Sequence, residues 1–321
     1  MKLALAIVAA AAGGAHADTP SERATAIELD REDAPAGRAE LGFDGGAPLA
    51  GWGASLGLGV LSKPLTLATP TTLVPVARRE TLVLGGALAL GGSVVVDARL
   101  PLLRQTGDTY TGGSDAFVIN RGTTRHAVGD LRLAARVRIA GTAERAVFLR
   151  GALTVPTGDD GDYAGELHWG VQWNLIGRAT LPAGVIVAAT ADIHIRGAEV
   201  MLGDRLVGDE IVGALGALVP IPPIAGLWCD RSQVMLGAEL DGVLGDNIDA
   251  VRGPSPIEAR GGLVIQALPE LTIGVRVGRG LDDQIGAPAW RATLELAWRG
   301  AWNPLAPSAS PAAASDETLD E

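Results

Sequence analysis

Apolar and polar residues alternate with a period of two along much of this chain. In the segment GDLRLAARVRI, residues 129–139, the apolar side chains of Leu131, Leu133, Val137 and others share one parity, and three arginines share the other. Because successive side chains of a β-strand leave opposite faces, this pattern predicts a two-faced strand and not a helix. It leaves open whether the apolar face meets a protein core or a lipid bilayer.

The alternation recurs in about twelve segments of about ten residues, the length of a tilted strand that crosses a bilayer. One of them, Ile211–Val219, is apolar on both parities and fits the pattern least well. The predicted strands cover residues 52–60, 82–90, 94–102, 131–139, 147–155, 166–175, 185–195, 211–219, 234–240, 257–265, 271–277 and 290–298.

The connections between these strands distinguish a barrel from a sandwich. Short links at 91–92, 141–144, 181–184 and 268–270 alternate with longer ones, such as 62–79, 105–127 and 197–208, and the link at 220–231 breaks the rule. A soluble β-sandwich also alternates apolar and polar residues. The loop asymmetry, the even strand number and tryptophans near strand ends favour outer-membrane barrels. We therefore expect an all-β fold, an antiparallel up-and-down transmembrane β-barrel of about 12 strands.

In such a barrel the apolar parity contacts lipid and the polar parity lines the lumen. A charge on the lipid face costs about 2–4 kcal/mol at the bilayer midplane, and nearly all the strand charges avoid that parity. The predicted lumen-lining residues, which are the candidates for a pore, are Asp97, Arg99, Arg132, Arg136, Arg138, Arg150, Glu166, His168, Asp192, Arg196, Glu239, Asp241, Glu258, Arg260, Arg276, Arg291 and Glu295.

The two ends of the chain differ in composition from the centre. Residues 1–17 have a lysine, an apolar run and an Ala-His-Ala site, which predicts a cleaved signal peptide and export. Residues 18–49 predict a periplasmic lead-in segment, residues 50–300 the barrel, and residues 301–321 a Pro/Ala-rich acidic tail. No later segment has 18 apolar residues in a row, so no transmembrane helix is predicted.

Composition narrows the function classes. A net charge of -11 argues against binding nucleic acid, which requires clustered basic residues. The single cysteine, Cys229, predicts no disulfide framework, and no catalytic partner is suggested for it. His126, His168 and His194 have no serine or aspartate at a spacing that implies a triad.

The acidic run TGDDGDY, residues 157–163, brings three aspartates together but lacks the rest of a calcium-loop pattern. We expect a solvated loop that contacts lipopolysaccharide-bound cations. The sequence therefore predicts no metal site, no cofactor and no enzyme activity.

Several segments resemble a known family. They are SERATAIELDRE, RRETLVLGGALALGGSVVVDARLPLLRQTG, VGDLRLAARVRI, ALTVPTGDDGDYAG and GRGLDDQIGAPAWRATLELAWRG, which together span most of residues 20–300. The chain is similar to the outer-membrane barrel modules that precede OmpA-like peptidoglycan-binding domains, and to outer-membrane transporters associated with aromatic-compound degradation. The OmpA-like domain itself is missing after the tail, so peptidoglycan anchoring is not carried over.

The resemblance and the pattern together imply a bacterial outer-membrane location and a set of partners. These are outer-membrane lipid and lipopolysaccharide, the barrel assembly machinery and a small solute. The leading hypothesis is a narrow porin-like channel, in which a stripe of arginine on one wall favours anions. The alternatives are a structural barrel whose lumen is closed by a ladder of ion pairs, and an outer-membrane enzyme.

Overall fold

The computed structural model of the protein describes most of residues 51–300. The described ranges are 51–67, 73–90, 93–107, 125–142, 144–158, 165–166, 168–197, 200–202, 205–222, 233–246, 256–282 and 287–300. The predicted signal peptide, lead-in segment and acidic tail, the acidic run after Gly158, and Cys229 all lie outside these ranges. Within them, no helix has the length and apolar character needed to cross a membrane.

Alternating side chains form β-strands throughout, and the only helical element in the described ranges is one 3₁₀ turn at Pro182–Gly184. The strands are β1 (Trp52–Leu67), β2 (Leu73–Ala89), β3 (Val94–Thr106), β4 (Arg125–Val128), β5 (Leu131–Gly141), β6 (Arg145–Val155), β7 (Gly170–Thr180), β8 (Ile186–Ile195), β9 (Val200–Leu202), β10 (Arg205–Val207), β11 (Glu210–Ile221), β12 (Gln233–Asp246), β13 (Ile257–Gln266), β14 (Leu271–Gly280) and β15 (Trp290–Gly300).

The strands pair into one closed, antiparallel sheet. Each wall strand pairs with the next along the chain, and the first pairs with the last, with Leu58 opposite Leu294. The sheet contains 13 strands, but β4 and β5 both pair with β3, one after the other, and so occupy a single place in the wall. Thirteen segments less this one give 12 positions, which confirms the predicted up-and-down barrel.

The two ends of the barrel differ in their connections. At one end, tight turns join β2 to β3, β5 to β6, β7 to β8 and β13 to β14, and only the connection from β11 to β12 is long. At the other end, the segments after β3, β6, β8, β12 and β14 are longer. We call these the short-turn end and the long-connection end. The chain enters the barrel at Trp52 and leaves it at Gly300, both at the short-turn end.

Four predicted boundaries were wrong. The described part of the predicted link at 62–79 is instead strand, because β1 and β2 stay paired as far as Leu67 and Leu73, with register shifts around Leu65. His126 lies in β4, because β4 pairs with the end of β3. Strands β9 and β10 pair with each other within a connection that was expected to have no strand. Strand β7 begins at Gly170, so the predicted strand 166–175 starts four residues too early.

Exposure separates the two faces of the wall. On β15, Trp298 and Trp290 are each 47% exposed, whereas Arg291 and Glu295 on the other parity are 2% and 7% exposed. Strand β5 behaves in the same way, with Leu133 at 42% exposed. Most of the large apolar side chains therefore face outward, and the buried polar side chains face the inside of the closed sheet.

Candidate functional site

On the inner face of the barrel, ion pairs join side chains that belong to different strands. The Arg150 guanidinium on β6 lies 3.3 Å from the Asp97 carboxylate on β3, and Arg276 on β14 lies 3.3 Å from Glu295 on β15. All four side chains are at least nine-tenths buried. Opposite charges that share a low-dielectric interior stabilise each other only where the geometry is good, so these contacts fix side-chain positions along the inner wall.

A second group of charges surrounds Glu258 on β13. Its carboxylate lies 2.9 Å from Arg291 Nε on β15 and 3.1 Å from Arg260 Nε on its own strand. Strand β14 lies between β13 and β15, and there Gly278 faces the pair. A Cβ at this position would lie 2.7 Å from Glu258 Oε1, so the absence of a side chain makes the pair possible.

Charges also gather at the long-connection end of β8 and β11. Arg196, just beyond β8, contacts the carboxylates of both Glu166 and Glu210, the latter at 3.3 Å. His194 Nε2 lies 3.9 Å from Glu166 Oε1, and both side chains are buried. Arg196 is thus held between two acids.

A buried aspartate positions Glu166. Asp130 is 0% exposed, and its two carboxylate oxygens accept the backbone N–H groups of Gly158 at 2.8 Å and Glu166 at 2.7 Å. The backbone N–H of Leu131 donates to the Thr157 hydroxyl at 2.9 Å. Segments GDLR and PTG, which carried the family resemblance, therefore meet in space and tie the β6–β7 connection to the wall.

Two contacts involve the middle of the lumen. Asp192 on β8 accepts hydrogen bonds from the side-chain amides of Gln172 and Asn174 on β7. The Arg136 guanidinium lies 5.1 Å from the centre of the Phe148 ring, a cation–π distance. Inward side chains on neighbouring strands are therefore in contact here.

The half of the lumen nearer the short turns contains apolar side chains that the sequence analysis missed. One cluster combines Ile186, Ala188, Leu218 and Val264, and a second combines Ala146, Phe148 and Ile176. The signal for the first cluster was present, because β11 is apolar on both parities, and Leu218 occupies the inner one. In the sequence this pattern shows only as the segment that fits the alternation least well.

Open space remains along one part of the wall. The inner face of β1 carries only small residues there, Ser55, Gly57 and Gly59, and beside them lies about 780 Å³ of space that protein atoms do not fill, including space open to solvent. Five charged residues also line this space. They are Arg99, Arg132, Arg276, Asp130 and Glu295.

The structure places the sequence-predicted site residues as follows. Buried on the inner face are Asp97, Arg136, Arg150, Asp192, Glu258, Arg260, Arg276, Arg291 and Glu295. Arg99, Arg132 and Arg138 are half-buried on the same face. Glu166, His168 and Arg196 were expected within strands but lie in the connections next to them, because β7 begins at Gly170 and β8 ends at Ile195. Glu239 and Asp241 lie in β12 opposite Arg260 and Glu258, and their side chains are outside the described part.

The sequence analysis did not single out Asp130, Gln172, Asn174 or Glu210, although all four are buried. The parity of their strands could have identified three of them, whereas Glu210 precedes the expected start of its strand. Among the described residues, no group of three or more His, Cys, Asp or Glu side chains could hold a metal ion.

Comparisons with known proteins find similarity in structure alone. No family model matches the chain, and no curated protein matches it in sequence. A COG4313 outer-membrane channel from Pseudomonas putida F1 aligns with a TM-score of 0.53 at 15% identity, over 81% of this chain and 98% of that one. The KdgM porin aligns with a TM-score of 0.45 at 8% identity, over 77% and 99% of the two chains. The first of these likenesses shows that the fold is that of the outer-membrane β-barrels.

Proposed function

We propose that this chain is an outer-membrane barrel that forms a narrow channel for small solutes. The observation that carries the proposal is the open space beside Ser55, Gly57 and Gly59 on the inner face of β1. Three consecutive inward positions without bulk on one strand leave a passage against the wall. A passage of this kind admits small solutes and excludes large ones.

The charges along this space favour anions. Its lining includes the three arginines Arg99, Arg132 and Arg276 and the two acids Asp130 and Glu295, an excess of one positive charge when all are ionised. A fixed charge in a narrow, low-dielectric passage acts on permeating ions over short distances. We therefore expect weak anion selectivity.

An outer-membrane location is supported by the outward face. Exposed leucine, isoleucine and tryptophan side chains cover it, as a surface in contact with acyl chains requires. The chain enters and leaves the barrel at the short-turn end, and in the usual orientation of such barrels this end faces the periplasm. The signal peptide, the kinship with OmpA-associated modules and the role of the assembly machinery stay predictions.

Planar-bilayer recording tests the channel. We expect discrete current steps from the purified barrel, and Gly57→Leu is expected to reduce the step by roughly half or more by filling the passage. Gly86→Leu is the matched control, because Gly86 lies on the neighbouring strand with nothing within 4 Å of its Cβ position, and its current is expected to match that of the wild type. A folded protein that never produces steps would refute the channel.

A structural barrel with no conductance is the second candidate. It is favoured by the inward ion pairs, such as Arg150 with Asp97, and by the two apolar clusters. Both features obstruct water and ions over much of the lumen. The same recording separates the two candidates, because only the channel gives current steps.

A further inference from the structure

A group of charged side chains interrupts the apolar outer face near the long-connection end. Arg78 Nη2 lies 2.8 Å from Glu80 Oε1, and Arg104 Nη1 lies 3.0 Å from Glu80 Oε2. These residues share a parity with Leu82 and Leu84, the latter 42% exposed, so they face outward and not into the lumen. The two arginine side chains are 58% and 52% exposed.

The neighbouring strands extend this group in both directions. On one side, His126 of β4 lies opposite Arg104 and is exposed. On the other, Ser62 of β1 lies between Arg78 and Trp290, and Trp290 is 47% exposed. Arg279 is exposed on β14. The residue before it pairs with Arg291, so Arg279 lies opposite Trp290 on the adjacent strand β15. We call Arg78, Glu80, Arg104, His126, Arg279 and Trp290 the outer-rim cluster.

The outer-rim cluster lies on one side of the barrel. At the same end of the wall strands on the opposite side, the outward residues that the structure describes are Leu131, Val155, Val171, Ile195 and Ile211. None of them is charged. In the described part of the wall, the charged outward residues at this end are therefore grouped on β2, β3 and β14.

The chemistry of the cluster suits a phosphate group at a membrane surface. The planar guanidinium groups of Arg78 and Arg104 can each donate two parallel hydrogen bonds to phosphate oxygens, and Glu80 holds both in place. Three arginines and one glutamate give an excess of two positive charges. Tryptophan prefers the interface between acyl chains and headgroups, which is where Trp290 would place the cluster.

We propose that the outer-rim cluster binds the phosphate of a phosphorylated glycolipid in the outer leaflet, with the acyl chains lying on the leucines below it. The proposal rests on the outer-membrane orientation given above, in which the long-connection end faces the cell exterior. It does not depend on conductance. Leu82, Leu84 and Leu102 supply the apolar surface directly beneath Arg78 and Arg104.

The experiment measures binding of bisphosphorylated lipid A to the full-length, folded protein, by native mass spectrometry and by the rise in the thermal unfolding midpoint. The variant Arg78→Gln with Arg104→Gln is expected to bind about tenfold more weakly or worse, since two charge-assisted contacts are lost. Arg145→Gln is the matched control, because Arg145 is exposed on the same face at the short-turn end, and it is expected to bind as the wild type does.

Lipid A without its phosphates is the matched ligand, and we expect it to leave the unfolding midpoint of the wild type unchanged. Equal binding of the two lipids would overturn the proposal, as would wild-type affinity in the double variant. Loss of binding in Arg145→Gln alone would contradict the orientation in which the long-connection end faces the cell exterior. Inorganic phosphate that binds as tightly as the lipid would make this a site for free phosphate and would also overturn the proposal.

If the double variant fails to migrate as a folded, heat-modifiable band, the wild-type comparison of the two lipids still decides the question. Bilayer recording of the same preparation keeps the two proposals separate. Lipid binding without current steps would contradict the channel and leave the outer-rim cluster supported, and current steps without lipid discrimination would do the reverse.

Discussion

Arg150 and Asp97 form an ion pair at 3.3 Å, although strand β5 separates the strands that carry them. The residue of β5 opposite Asp97 is Ala134, whose small side chain leaves room for the contact. A small inward residue, alanine or glycine, on the intervening strand thus allows charged side chains two strands apart to come into contact. The same condition holds for Glu258 and Arg291 across Gly278.

Neutralising one member of the Asp97 pair is expected to destabilise the barrel. In Asp97→Asn, Arg150 keeps its charge but loses its acid, and breaking a buried pair typically costs about 3–5 kcal/mol. Urea unfolding of the refolded barrel in detergent measures the change. Adding Arg150→Leu to Asp97→Asn is expected to recover much of the loss, and an unchanged midpoint in Asp97→Asn would show that the pair contributes nothing.

A methyl group at Gly278 is expected to push Glu258 away from Arg291. The new Cβ would lie 2.7 Å from Glu258 Oε1 and 2.9 Å from Arg260 Cγ, and overpacking of this kind costs about 1–3 kcal/mol. Gly86→Ala serves as the control, since nothing lies within 4 Å of its Cβ position. Thermal unfolding of both variants measures the difference, and equal midpoints would contradict the packing described for Gly278.

The two faces of β5 are expected to respond oppositely to substitution. Arg132→Leu removes an inward charge from the lining of the passage and is expected to leave the barrel folded while shifting ion selectivity towards cations. Leu133→Arg places a charge on the outward face, at a cost of about 2–4 kcal/mol near the midplane, and is expected to impair insertion. Reversal potentials test the first variant, and the heat-modifiable band tests the second. An exchange of these outcomes would reverse the assignment of the faces.

Replacing Asp130 is expected to release the β6–β7 connection from the wall. Asp130→Ala leaves two backbone N–H groups without the acceptor they now have, and an unsatisfied buried donor costs about 1–3 kcal/mol. Hydrogen exchange at the amides of Gly158 and Glu166 is therefore expected to accelerate, while the amides of β13, far from this contact, keep their rates. Unchanged exchange at Gly158 and Glu166 would show that the hydrogen bonds to Asp130 do not hold this connection against the wall.

The sequence predicted the fold because lipid and lumen impose opposite demands on neighbouring residues. The alternation of Leu133 and Arg136 on β5, repeated in about twelve segments, gave the number of strands, and the alternation of short and long links favoured the barrel over a sandwich. Boundaries were less predictable near Leu65, where β1 and β2 continue beyond the alternating part with shifted registers. Pairing there depends on the neighbouring strand and not on any pattern within one segment.

The interior of the lumen was only half predictable. Parity identified residues such as Arg150 and Glu258 as inward but could not show which acid each arginine meets, because the partners lie two strands apart. The apolar clusters around Leu218 and Ile176 were missed, since an apolar residue on the inner parity looks the same as a poorly alternating strand. The role of Gly57 was equally hidden, because a missing side chain matters only when the surrounding space is known.

The central claim is that the inner face of β1 borders the solute passage, and thiol modification of Ser55→Cys during bilayer recording tests it most directly. In a Cys229→Ser background, a charged, membrane-impermeant thiosulfonate is expected to block the current through Ser55→Cys. Leu56→Cys, on the outward face of the same strand, is expected to keep its current unchanged. Current through Ser55→Cys that persists in the reagent, together with a block in Leu56→Cys, would contradict the account.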